Sequence, residues 1–210
     1  MISKLRNPYN NEADDCVKLL YISGPELYTY IFVESEPKIY ELIRLLYETP
    51  GNPYSKENIV VEEEDNKIRG LLLGYPASDM KKLGMQMLKC VKDMIISGGI
   101  FNFLKMIFRM KLNKYLPRTE KDEFFISNLA VFEEYRGKGI AVKLLEKAEE
   151  MATEKGLNKL SLYVETDNSH AKRVYEKFGF QEVKKSMLPQ EFHKHNLFGF
   201  YKMRKVIGEN

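Results

Sequence analysis

The chain reads as one α/β domain built on a mixed sheet, and three observations carry that reading. Segments with strand-like alternation and segments with helix-like spacing follow each other along its 210 residues. A glycine-rich turn, Arg136-Gly137-Lys138-Gly139, joins a strand pattern to a helix pattern. A helical piece rich in lysine interrupts the alternation between the third and fourth strands.

In chain order, residues 2–7 predict a first strand. Glu12 to about Leu20 predicts a helix, with Asn10 or Asn11 as its cap. Gly24-Pro25 breaks that helix, and 26–33 resumes it. Pro37 opens another helix, whose Ile39, Leu42, Ile43 and Leu46 fall at helix spacing; Pro50-Gly51-Asn52-Pro53 ends it. Two strands follow, 59–64 and 67–75, joined by the hairpin signal Asp65-Asn66. The acidic run Glu62–Asp65 reads as a solvated strand end.

Residues 77–118 form the insertion. Met80, Leu83, Met87, Leu88, Val91, Met94 and Ile95 recur at helix spacing. After Ser97-Gly98-Gly99, Ile100, Phe103, Leu104, Ile107 and Phe108 repeat the pattern, so a helix–Gly–helix piece is expected. From Glu123 the order is strand, glycine turn, helix to about Lys155, a stop at Gly156, strand from about Leu160, helix 169–178, and two last strands, about 180–187 and 197–206. The segment 188–196 between those strands reads as a loop.

A 44% hydrophobic and 30% charged composition fits a globular domain. No apolar run reaches the ~18 residues of a transmembrane helix. The N-terminal residues lack a signal-peptide core, so a cytoplasmic protein is expected. Cys16 and Cys90 form no Cys-x-x-Cys motif and read as free, buried or catalytically silent thiols, and His193-Lys194-His195 reads as structural or surface residues; no metal is expected. Residues 81–118 hold nine basic residues and one acid, Asp93. That segment is +8 in a chain of net charge +3, which leaves −5 for the remainder. It admits three readings: a helical hairpin packed on the domain; an oligomer contact (a homodimer) or lid; or association with an anionic surface. No specific nucleic-acid partner is expected.

Glycines at a strand-to-helix turn let a ligand approach the backbone, and the first helical amides attract an anion. Arg136 and Lys138 add positive charge. A phosphate-bearing ligand is therefore expected at the turn. It is not a mononucleotide P-loop, because no Gly-Lys-Ser/Thr follows at the required gap, and the third glycine of a dinucleotide fingerprint is missing.

A second segment narrows the choice. After the strand 160–165 come Asn168, Ala171 and Val174-Tyr175-Glu176-Lys177-Phe178-Gly179-Phe180. With Leu129-Ala130-Val131 and the turn Arg136–Ala141, this resembles the GNAT superfamily of N-acetyltransferases. The pyrophosphate signature Gln/Arg-x-x-Gly-x-Gly/Ala is met by Arg136, Gly139 and Ala141; the resemblance spans about 123–183. It implies a mostly antiparallel sheet whose fourth and fifth strands splay apart, flanked by helices. It further implies acetyl-CoA as acyl donor and an amine-bearing acceptor.

By the same resemblance Leu129, Ala130, Val131, Arg136, Gly137, Lys138, Gly139, Ile140, Ala141, Asn168 and Ala171 line the coenzyme site. A backbone N–H near Leu129–Val131 would hold the oxyanion, and Tyr175 would be the general acid. The position of the glutamate base that some members carry on the fourth strand is Phe125 here. Glu123 acting through water, Glu165, and direct attack without a base all remain open. A module that holds acyl-CoA without turnover is the other reading.

Overall fold

The structure is a computed structural model that describes residues 3–32 and 34–208. Ile2 and Val33, included in two of the predicted elements, lie outside the described residues. Seven strands form one sheet in the order β1-β2-β3-β4-β5-β7-β6. They are β1 (Lys4–Arg6), β2 (Ile59–Glu64), β3 (Lys67–Pro76), β4 (Glu123–Val131), β5 (Lys159–Glu165), β6 (Gln181–Met187) and β7 (Gly199–Val206). Every neighbouring pair is antiparallel except β4–β5.

The β2–β3 turn holds Asp65 and Asn66 at φ 53° and 59°, the left-handed pair that a two-residue hairpin demands. The acid run before it is not a solvated strand end. Glu62 is fully buried, gripped at both oxygens by Arg69 of β3, and Glu63 accepts from Arg6 of β1 at 3.0 Å. Strand alternation cannot show that β1 covers this edge, and an uncovered edge would have left these carboxylates in water.

Helices cover both faces. On one face lie α1 (Ala13–Ile22), α2 (Pro25–Phe32) and α3 (Glu36–Glu48). They bury Leu19, Leu20, Ile43 and Leu46 against Val61, Leu71 and Leu73 of the sheet. Asn10 and Asn11 do not cap α1; they sit in a 3-10 turn, and the N-cap position is Glu12, whose carboxylate accepts from the Tyr9 amide and from Arg6. On the other face α7 (Ile140–Glu154) lays Ile140, Leu144, Leu145, Ala148 and Ala152 on Leu72, Phe124, Ile126 and Leu162. These positions fall at i, i+4, i+5, i+8 and i+12, the stripe of an amphipathic helix. Gly70 of β3 makes the approach possible, since a Cβ there would stand 2.9 Å from Ile140 Cγ2.

The insertion contains three helices, α4 (Met80–Gln86), α5 (Val91–Gly98) and α6 (Ile100–Arg109). The first predicted helix is split by a 3-10 turn, Met87–Cys90, that periodicity alone does not mark. Gly99 at φ 80° turns the chain between α5 and α6, which pack on α3 and α2 respectively. Beyond β5, α8 (Ser169–Lys177) leads to the β6–β7 edge. The segment 188–196 is not all loop. It holds a short helix, α9 (Gln190–His193), whose Phe192 is buried beside Tyr30 and Leu112. His193 Nε2 lies 3.2 Å from the Leu188 carbonyl, and His195 meets Tyr30 edge-on.

Candidate active site

The parallel pair β4–β5 is joined only from Glu123–Lys159 to Ile126–Leu162. Beyond that the strands diverge, and the β4 backbone from Ser127 to Val131 faces a gap rather than a partner on its β5 side. A bulge sits at the branch point. Leu73 pairs with Asn128 but Gly74 pairs with Ile126, so Ser127 is the extra residue. Its consequence is a change of faces. Phe124 and Ile126 point to the α7 side, whereas Asn128, an even step further, points to the α1–α2 side. Strict alternation would have placed all three together.

Asn128 is a site residue that sequence reading missed, because a bulge leaves no mark in the alternation of β4. Its Nδ2 donates to Ser23 Oγ at 2.6 Å and to Tyr28 Oη at 3.1 Å. Ser23 Oγ itself donates to Leu20 O, so it must accept from Asn128, and that fixes the amide's orientation. Asn128 Oδ1 is then left as a buried acceptor with no partner among the described residues. Such a group is costly to bury empty.

The glycine turn lies at the start of α7. Gly137 and Gly139 both have φ 77°, and a Cβ on either would meet nothing within 4 Å. Arg136 through Gly139 are exposed. The first α7 amide to reach a carbonyl is that of Lys143, which donates to Gly139 O at 3.1 Å. Ahead of it the amides of Gly137, Lys138, Gly139, Ile140, Ala141 and Val142 have no acceptor among the described residues. This is an open nest of donors at the positive end of a four-turn helix, flanked by Arg136 and Lys138, and it suits a pyrophosphate. Arg136 also braces the turn by donating from Nε to Val131 O at 3.3 Å. Leu129 and Val131 face α7, while Ala130 faces α1.

Asn168 caps α8, its Oδ1 accepting from the Ala171 amide at 3.0 Å. Tyr175 sits on the buried side of α8, edge-on to Phe180 and within the α7 core. Burial pushes its phenol up to about 12, so it stays protonated at neutral pH. The α7 face therefore carries the turn and Tyr175.

The two carboxylates separate. Glu123 stands at the closed end of the β4–β5 pair, three residues or about 10 Å from the opening. It is fully buried, and it accepts from Lys202 Nζ at 2.9 Å, Arg204 Nε at 2.7 Å and the Glu120 amide at 3.0 Å. Burial opposes its charge, but the Lys202 ammonium and the Glu120 amide outweigh it and hold the carboxyl below its usual range. Glu123, expected to draw a proton through water, thus has its charge held by two cations, away from the opening. Glu165 ends β5 at the open end. Burial, then the nearby charges of Glu26 and Asp167, raise its carboxyl to about 7. Residues 160, 162 and 164 belong to the α7-side core, so Glu165 alternates to the α1–α2 side, where Asn128 also points. Among the described residues, no group of His, Cys, Asp or Glu is arranged to hold a metal ion.

The sequence matches the model of the Acetyltransferase (GNAT) family over residues 25–180. It is 41% identical over 67 residues to "Uncharacterized N-acetyltransferase YycN" of Bacillus subtilis (strain 168), a match covering 32% of this chain and 43% of that protein. The chain thus spans less than half the length of that relative. Among solved structures, an N-acetyltransferase from Staphylococcus aureus Mu50 superposes with a TM-score of 0.71 at 20% identity, covering 96% of this chain and 99% of that one. The PaiA N-acetyltransferase of Thermoplasma acidophilum, solved in complex with coenzyme A, superposes with a TM-score of 0.53 at 17% identity, covering 98% and 99%. At these identities the two structures speak for the fold, and the family match covers most of the chain. With its splayed parallel pair and open glycine turn, this chain belongs to the GNAT family of acetyltransferases.

Proposed function

We propose that the protein moves an acetyl group from acetyl-CoA to a primary amine by direct attack through a tetrahedral intermediate. The observation that carries this reading is the run of unpartnered amides at 137–142, opening beside the gap between β4 and β5. Arg136, Gly137, Lys138, Gly139, Ile140 and Ala141 hold the pyrophosphate. The unpaired backbone of Leu129, Ala130 and Val131 takes the pantetheine arm as an added strand and offers an N–H to the oxyanion. Asn168 caps α8 through Oδ1, which leaves its Nδ2 for the same arm, with Ala171 alongside. The coenzyme A in the PaiA complex is in keeping with this assignment.

The acceptor enters from the α1–α2 side. Asn128 Oδ1 accepts a hydrogen from the amine and aims its lone pair. Glu165, with a proton affinity near neutrality, takes the proton that the nucleophile must lose. From the α7 side Tyr175 donates to the leaving thiolate. Attack and departure are thus served from opposite faces of the sheet, through the gap between β4 and β5.

Calorimetric titration with acetyl-CoA, followed by thiol release against an amine panel, tests the reading. Uptake with amine-dependent release is expected, and Tyr175→Phe should lower kcat by roughly 10²-fold or more while leaving acetyl-CoA affinity unchanged. Absence of uptake would defeat the proposal. Phe125, standing where some relatives keep a glutamate, favours one alternative, an acyl-CoA-binding module. Uptake without release for any amine would select it.

A further inference from the structure

Helix α6 is amphipathic in the wrong sense for a helix that only covers a core. Phe103 and Met106 turn inward, Asn102 Nδ2 donates to Glu34 at 2.6 Å, and Arg109 donates to the Tyr30 carbonyl at 2.6 Å. The opposite face is also apolar. Ile100, Phe101, Leu104, Ile107 and Phe108 fall at i, i+1, i+4, i+7 and i+8 and all are exposed, Phe101 at 78% and Phe108 at 66%. Leu88 and Ile96, each 71% exposed, lie on the segment that leads into α6. Scattered exposed apolar residues need no explanation, but a helical stripe of five does.

The insertion that carries this stripe is rich in lysine. Lys81, Lys82, Lys89, Lys92 and Lys105 are exposed on the same insertion. Among the described residues only Lys111 of the segment's cations is paired with a carboxylate, Glu191 at 3.4 Å. The charge decides between occupants. A second copy meeting this face across a two-fold axis would set one +8 segment against another. A phosphodiester backbone would satisfy the lysines but leave Leu88, Ile96, Leu104 and Ile107 without an apolar partner. An anionic phospholipid surface answers both, with headgroup charge for the lysines and acyl chain for the stripe.

We propose that α6, with the segment preceding it, docks the protein on an anionic bilayer, lying in the interface plane. No helix among the described residues is long and apolar enough to cross a membrane, so the attachment is peripheral. The stripe lies on the far side of α6 from α2.

Co-sedimentation of the full chain with vesicles tests this, comparing phosphatidylcholine alone with phosphatidylcholine carrying about a third phosphatidylglycerol. Binding is expected only to the anionic vesicles and should fall as salt shortens the screening length. Phe101→Ser with Phe108→Ser should weaken it at least about tenfold. Lys89→Gln and Lys105→Gln should each cost about fivefold. These positions are exposed, so the thermal midpoint should not move and a binding loss is not unfolding. Three results would overturn the proposal: no binding to either vesicle, equal binding to both, or a dimer or nucleic-acid complex that the phenylalanine variant dissolves.

Discussion

At Glu165, burial and the two carboxylates of Glu26 and Asp167 act in one direction, lifting the carboxyl to about 7. The folded chain therefore holds a proton there that the unfolded chain releases at lower pH. Its contribution to stability is present below the ordinary glutamate range and is lost as pH rises through about 7. Glu165→Gln should accordingly stabilise the protein at pH 8, by on the order of 2 kcal/mol, and change little at pH 5, as denaturant melts at the two pH values would show. The same substitution should remove the rising limb near pH 7 from the kcat/KM profile of acetyl transfer. If the limb persists, the base lies elsewhere or the amine's own ionisation sets it. Glu123, at the closed end of the neighbouring strand, shows the opposite outcome for the same residue type, since Lys202 and Arg204 stabilise its charge. Local neighbours separate the two carboxylates only in part, Asp167 raising Glu165 and the Glu120 amide lowering Glu123. The rest of their difference comes from β7 and α2, which arrive from distant parts of the chain.

Among elements, α7 and the turn ahead of it were the most legible. The glycines, the basic residues and the apolar stripe are all local, and local sterics require glycine where φ is 77°. Gly139→Ala isolates that requirement. A Cβ there meets no protein atom, so the fold should lose only the left-handed strain, about 1–2 kcal/mol in a thermal melt. Affinity for acetyl-CoA should fall by about tenfold or more in calorimetry, because the methyl group stands where a phosphate must approach the amides. An unchanged affinity would move the pyrophosphate away from this turn. The insertion was legible as helical and basic, but not its 3-10 break at Met87–Cys90 or the outward side of α6. Periodicity finds an apolar stripe on a helix, whereas its direction depends on which side the rest of the protein occupies.

At the scale of the molecule, one buried charge cluster ties β4 in the middle of the sheet to β7, the last strand but one. Glu123 of β4 joins Lys202 and Arg204 of β7 across β5, and Lys202 also reaches the Arg118 carbonyl at the end of the insertion. Lys202 is 2% exposed. Glu123→Gln should therefore destabilise the whole domain by about 3 kcal/mol, read as a shift of the denaturation midpoint with unchanged cooperativity. Because the folded pKa of Glu123 is lowered, this contribution is present above the ordinary carboxylate range and is lost as pH falls through the folded value. The variant should thus lose less stability on acidification than the parent chain.

Element order, the hairpin at Asp65-Asn66, the glycine turn and the family resemblance follow from short-range pattern, because backbone sterics, helix spacing and turn chemistry act over a few residues. Which carboxylates are buried, the face to which Asn128 turns after the Ser127 bulge, and the solvent side of α6 follow from contacts between residues far apart in the chain. Solvation and pairing set the energy of a polar or apolar group, and both are created only when distant segments pack around it.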